Sequence, residues 1–245
     1  MISEWIRQSN KTVIFTGAGM STESGLPDFR SAKQGMWRDK DPTYYASTYA
    51  LTHHRDAFIQ FYRQRIKGLL KVKPHEGHTV LAEWEKKGWI DGIVTQNVDG
   101  LHQAAGSKRV AALHGSLREL VCMECQKTYP AQQYETDAGT MCVCGGFIRP
   151  KVVLFGENLP EQEVARAEAL IDGVELLIVL GSSLQVSPAN FFPVRAKEQG
   201  AKLVIINWEP TDFDAEADLV VNGEKIGAWL QQVHAELLIK NKPVG

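Results

Sequence analysis

The sequence predicts an α/β fold: a mostly parallel sheet with helices on both faces, interrupted by two insertions. Three observations in the 245 residues carry this expectation. The runs Lys11–Gly19, Trp89–Gln96, Val174–Gly181 and Lys202–Asn207 are continuously apolar rather than alternating, as strands covered on both faces are. Stretches with helical periodicity and capping signals lie between them. Two segments of different character, 31–74 and 117–150, break the alternation.

Taken in order, "KTVIFTGAG" is a buried strand entering a glycine-rich turn. The first insertion holds "MWRDKDPTYYAS" and the helix-like "RDAFIQFYRQRIKGLL". His78–Gly88 places Val80, Leu81 and Trp84 on one helical face, with Gly88 as the C-cap. The second insertion carries all four cysteines and two glycine clusters. Pro160–Gly173 opens on proline and acids and closes on glycine; Ser187–Gly200 is similar, and "EKIGAWLQQVHAELLI" forms a last helix. The predicted division is a core of residues 1–30, 75–116 and 151–245, a helical insertion and cofactor loop over 31–74, and a small metal-binding unit over 117–150.

Composition narrows the function classes. A net charge of −2 gives no broad basic surface for nucleic acid, and 44% hydrophobic with 23% charged residues is ordinary for a globular protein. No apolar run approaches the roughly 20 residues that span a bilayer. The start "MISEWIRQSNKTVIF" lacks the organisation of an export signal, so the expected compartment is the reducing cytosol. A monomer is the working expectation.

The cysteines fall as Cys122-x₂-Cys125-x₁₆-Cys142-x-Cys144, close to a two-knuckle zinc spacing. Four thiolates close a tetrahedral zinc site and leave no position for water, so a structural role leads over a catalytic metal. A redox pair or disulfides remain the alternative, disfavoured by the compartment. The second pair is one residue short of the usual spacing, and Gly145–Gly146 directly after it allows the tight turn required.

Chemistry is therefore sought at the strand ends. "TGAGMSTESGLPDFR" places Gly17, Gly19 and Gly25 after the first strand, where turn amides bind anions. The spacing is neither G-x-G-x-x-G nor a P-loop. "TQNVDG", "LHGS", "GSSL" and "NWE" bring further polar groups to other strand ends, where open α/β sheets bind ligands. Loop capping is the plainer explanation for any one of them. His114, in "LHGS", is positioned to serve as a general base near pH 7.

In their order, "TGAGMSTESGLPDFR", "TQNVDGLHQAAG", "LHGSL", the cysteine insert followed by "IRPKVVLFGENLP", "LGSSLQVSPA" and "VIIN" resemble the sirtuins, over nearly the whole chain. The resemblance implies a bacterial NAD-dependent protein-lysine deacylase with a Rossmann-like domain and a small zinc-ribbon domain. It implies that Gly17, Ala18, Gly19, Thr22, Asp28, Phe29 and Arg30 line the NAD site and that Gln96 holds the nicotinamide-side ribose. Asn97, Val98 and Asp99 would form the nicotinamide pocket. Gly181, Ser182, Ser183, Asn207, Glu209 and Ile226 would face the adenosine half. His114 would deprotonate a ribose hydroxyl after the acyl oxygen captures the ribose. Zinc would sit on Cys122, Cys125, Cys142 and Cys144. Val153, Phe155, Gly156 and Glu157, together with the segment after Gly181, would sandwich an acyl-lysine protein or peptide as an added strand. Products would be lysine, nicotinamide and O-acyl-ADP-ribose.

Tyr62 and Arg65 resemble the Tyr-x₂-Arg pair of desuccinylating and demalonylating sirtuins, because a guanidinium fork suits a carboxylate. A solvated arginine on an amphipathic helix is the plainer reading. Deacetylation is thus expected first, with removal of acidic acyl groups second. The competing functions are an ADP-ribosyltransferase and a non-catalytic NAD or ADP-ribose binding module.

Overall fold

A computed structural model describes residues 1–28, 36 and 41–239. Phe29 and Arg30 lie outside the described residues. The elements are α1 (Ile2–Gln8), β1 (Thr12–Thr16), α2 (Pro42–Tyr45), α3 (Thr48–His53), α4 (Arg55–Leu69), α5 (Glu76–Lys86), β2 (Gly92–Thr95), α6 (Leu101–Ala105) and β3 (Val110–Ala112). They continue with β4 (Gly115–Cys122), β5 (Thr128–Pro130), β6 (Ile148–Val152), α7 (Glu161–Ile171), β7 (Leu176–Leu180), α8 (Phe191–Glu198), β8 (Lys202–Asn207), β9 (Leu219–Asn222) and α9 (Ile226–Ile239).

The main sheet has the order β3-β2-β1-β7-β8-β9 and every pairing is parallel. Its strands read as solid apolar runs because both faces are covered. Along β1, Ile14 joins one core layer with Leu81, Trp84 and Leu230 from α5 and α9. Val13 and Phe15 point the other way and join Ala167, Ile171 and Ala196 from α7 and α8. The chain builds outward from β1 to β3, then returns to β7 on the other side of β1 and builds outward again. The reversal between β1 and β7 is the switch point where such sheets bind ligands.

The cysteine insertion is a three-stranded antiparallel sheet of order β5-β4-β6. It does not pack alone. Leu120, Tyr134 and Ile148 share one core with Phe58, Tyr62 and Ile66 of α4, so the two insertions lean on each other.

Below the glycine-rich turn, the rings of His75, His78 and His102 meet edge-on and tilted, with centroids 4.5 and 4.9 Å apart. Neither ring nitrogen of His78 has a partner among the described residues. Burial holds His78 down to about 2 and His102 to about 3. Both rings are neutral in the fold and gain protons on unfolding below their ordinary value of about 6.5. Stability from these rings is complete above pH 6.5 and is lost as pH falls below it. Burial also lowers His114, which adds to the loss, whereas the raised carboxyl of Asp99 opposes it. The melting temperature should drop steadily from pH 6.5 to pH 5; a flat profile there would contradict the neutral cluster.

Candidate functional site

The cleft at the switch point encloses about 780 Å³ between the sheet's carboxyl ends and the two insertions. Close backbone approach shapes its floor. Gly17 N donates to Leu180 O at 3.1 Å and Gly19 N to Gly181 O at 2.9 Å. A Cβ on Gly17 would sit 2.7 Å from Gly181 O, and one on Gly19 would sit 2.7 Å from Gly181 Cα. Glycine is required at both positions because two strand-end turns touch there. The segment Ala18–Ser24 winds into a 3₁₀ helix, a tighter element than the open turn expected.

Ala18, Gly19, Thr22, Asp28, Gln96, Val98, Gly181, Ser182, Ser183, Asn207, Glu209 and Ile226 all line the cleft, as do His114, Val153, Phe155, Gly156, Glu157, Tyr62 and Arg65. Gly17, Asn97 and Asp99 instead lie just behind the lining, buried. Asn97 Nδ2 donates to Gly17 O at 2.9 Å. Asp99 accepts from Leu101 N at 2.8 Å and from Ser21 Oγ at 2.7 Å. Burial pushes the Asp99 carboxyl up, against these two hydrogen bonds and the charges of Arg118 and Arg65.

His114 stands half-buried between β3 and β4, and its Nδ1 lies 2.9 Å from Gln96 O. A carbonyl only accepts, so Nδ1 carries the proton and the neutral ring keeps its Nε2 lone pair. Burial lowers the ring's pKa, with the Gln96 bond partly opposing. A neutral imidazole is therefore present at pH 7. Gln96 itself accepts from Ser182 Oγ at 2.8 Å, while its buried Nε2 has no partner among the described residues. That orphaned donor, on the wall shared with His114, suits a ligand hydroxyl.

Glu157 lines the cleft, but its carboxylate is engaged. It pairs with Arg149 at 2.9 Å and accepts from Leu154 N at 2.9 Å. It holds the Val153–Glu157 turn to β6 and offers the cleft little free charge. Phe155 pairs with the chain before α3: Phe155 N donates to Ala46 O and Thr48 N to Phe155 O, both at 3.0 Å. Tyr62 is buried and raised to about 12, first by desolvation, with Arg65 lowering it. The Arg65 guanidinium carbon lies 5.7 Å from the Tyr62 ring centroid. Glu23, Leu154, Trp208 and Lys225 also line the cleft. Leu154 falls within the Val153–Glu157 segment expected to meet the substrate, whereas Glu23, Trp208 and Lys225 carry no motif signal of their own.

The four cysteine sulfurs lie within 4.8 Å of one another. Cys122 and Cys144 are 3.5 Å apart and Cys125 and Cys142 are 3.6 Å apart. Zinc–sulfur bonds of about 2.3 Å place tetrahedral thiolates about 3.8 Å apart, so the set fits zinc. Gly145 takes φ +86°, and Gly145 N donates to Cys142 O at 2.9 Å. A Cβ on Gly146 would lie 2.7 Å from Cys122 Sγ. The short Cys-x-Cys spacing is therefore closed by the glycine pair.

The family model described as SIR2, Sir2 family, matches residues 17–188. A protein from Oceanobacillus iheyensis named NAD-dependent protein deacetylase is 51% identical over 96% of this chain and 100% of its own length. One of the same name from Halalkalibacterium halodurans is 53% identical over 97% and 99%. A solved Sir2 structure with a p53 peptide and NAD+ has a TM-score of 0.88 at 37% identity, covering 97% of this chain and 98% of that one. Another, with deacetylated p53 peptide and 3′-O-acetyl-ADP-ribose, has a TM-score of 0.90 at 37% identity and covers 96% of each.

Proposed function

The chain belongs to the Sir2 family, the sirtuins, and from that premise we propose that it removes acetyl groups from protein lysines while consuming NAD. The observation that carries this reading is the His114–Gln96 pair: a neutral imidazole and an orphaned amide donor on one cleft wall. NAD supplies the ADP-ribosyl group that accepts the acetyl. Ala18, Gly19 and Thr22 line the side that suits its pyrophosphate, and Gly181, Ser182, Ser183, Asn207, Glu209 and Ile226 line the adenosine side. Asn97, Val98 and Asp99 form the nicotinamide end. Gln96 Nε2 orients a ribose hydroxyl, and His114 Nε2 takes that hydroxyl's proton as it attacks the acyl carbon. The edge at Val153–Gly156 receives the acyl-lysine peptide. Zinc on Cys122, Cys125, Cys142 and Cys144 holds the ribbon closed. All four thiols are free of disulfides, as zinc ligands must be. Deacetylation of an acetyl-lysine peptide that needs NAD tests the reading; no turnover by folded protein would refute it.

A second activity is favoured by one specific observation. Tyr62 and Arg65 both face the cleft, and burial works against the Arg65 charge. A carboxylate on the acyl chain would offset that burial through a charge-assisted bond. Succinyl- or malonyl-lysine is therefore a secondary substrate class. Arg65→Met should lower kcat/KM for succinyl-lysine peptide by at least tenfold, the scale of one charge-assisted hydrogen bond, and alter acetyl-lysine turnover far less. Equal effects on both peptides would remove the acidic-acyl role.

A further inference from the structure

The strand β4 starts the zinc ribbon, yet it also reaches back into the sheet's cleft. Ser116 pairs with Lys151 and Leu120 with Pro150, so Leu117, Arg118 and Glu119 bulge out between the two registers on β6. A bulge beside a site re-aims side chains. Here it turns Leu117 N onto Val98 O at 2.7 Å and Arg118 Nε onto Asp99 O, also at 2.7 Å. Ser116 Oγ accepts from Arg118 N at 3.1 Å and braces the bulge. Gly100, at φ +67°, makes room: a Cβ there would lie 2.8 Å from Arg118 Cδ and 2.9 Å from Nε.

We propose that Arg118 is a positioning residue for the nicotinamide end of the cleft, fixing the Asn97–Asp99 turn from the zinc ribbon. The proposal rests on the reading that Asn97, Val98 and Asp99 receive nicotinamide. Arg118 touches neither nicotinamide nor the reacting atoms; it acts through Asp99. Among the described residues, the charged groups that face Asp99 are Arg118 from β4 and Arg65 from α4, while Ser21 and the Leu101 amide supply neutral donors. With two donors spent on the carboxyl group, its remaining lone pairs suit the N–H of a carboxamide, and ionisation strengthens that bond. Burial pushes the Asp99 carboxyl up, and the Leu101 amide, the Ser21 hydroxyl and then the Arg118 charge work against it. The arrangement also gives the ribbon a route to the chemistry beyond holding its own fold.

The test is steady-state kinetics on Arg118→Met, Arg118→Lys and Asp99→Asn, each checked for folding by thermal melting. Arg118→Met should raise the KM for NAD and the inhibitory concentration of nicotinamide about tenfold, with the peptide KM unchanged. Its acid limb of kcat/KM for NAD should move to higher pH, because Asp99 then protonates sooner. Arg118→Lys, which keeps the charge, should return that limb to its wild-type position; a merely structural role would leave the limb unmoved in both variants. If Asp99→Asn leaves nicotinamide inhibition unchanged, the nicotinamide-end reading falls. If Asp99→Asn weakens inhibition but a folded Arg118→Met does not, the role of Arg118 is overturned. Should Arg118→Met fail to fold, Arg118→Gln carries the same comparison.

Discussion

Replacing His114 with Ala is expected to lower deacetylation by about 10²- to 10⁴-fold, the range for losing a positioned general base. The loss should fall on kcat. Among the described residues the ring's one hydrogen bond is to Gln96 O, and its Nε2 is left for the reacting hydroxyl. NAD binding and melting temperature should change little, because the Gln96 side chain keeps its bond to Ser182 and the ring lies at the junction of β3 and β4 rather than in a core cluster. The pH profile should show the same group. Burial lowers its pKa below the usual 6.5, so wild-type activity should extend below pH 6.5 before the ring protonates. Single-turnover rates for wild type and His114→Ala check both statements. A variant that retains full activity would remove His114 from the chemistry.

The second large effect concerns the cysteines. Cys142→Ser should leave the ribbon unable to close, and structural zinc of this type contributes on the order of 10 kcal/mol to its fold. The consequence spreads because the ribbon is not separate. Cys122 and Cys142 are buried in the same core as Phe58, Tyr62 and Ile66, and β4 begins one residue after His114. The ribbon's Leu117 N and Val153 N also bond Val98 O and His114 O, at 2.7 and 2.9 Å. Loss of zinc should therefore unfold the ribbon, loosen α4 and abolish activity together. Metal analysis should find one zinc per chain, and chelation should lower activity and melting temperature in parallel. A metal-free chain with full activity and stability would contradict this.

The strands of the main sheet were readable because full burial leaves unbroken apolar runs, as in "VIFT" and "LLIVL". Strand β9 is harder to read: its apolar run is only Leu219–Val221, and its residues are half-exposed or exposed at the sheet edge. Helix α5 begins two residues earlier than its apolar face suggests, at Glu76, because the His75 ring caps it by accepting from Gly77 N. The two insertions read as unrelated segments, since their shared core joins residues far apart in the chain. In the site, His114 and the strand-end polar residues were legible from position. Glu157 was legible only as a cleft residue, and its pairing with Arg149 is a product of the fold. Arg118 carried no signal, because its role comes from a register shift between β4 and β6.

The central claim is that NAD cleavage and deacetylation are one coupled reaction at this cleft. The direct measurement is product stoichiometry: NAD and acetyl-lysine peptide are incubated with the protein, and nicotinamide, free-lysine peptide and O-acetyl-ADP-ribose are quantified together. The account predicts equal amounts of all three, with nicotinamide release dependent on the peptide. Nicotinamide released without deacetylation, or ADP-ribose transferred to protein in place of acetyl capture, would contradict it.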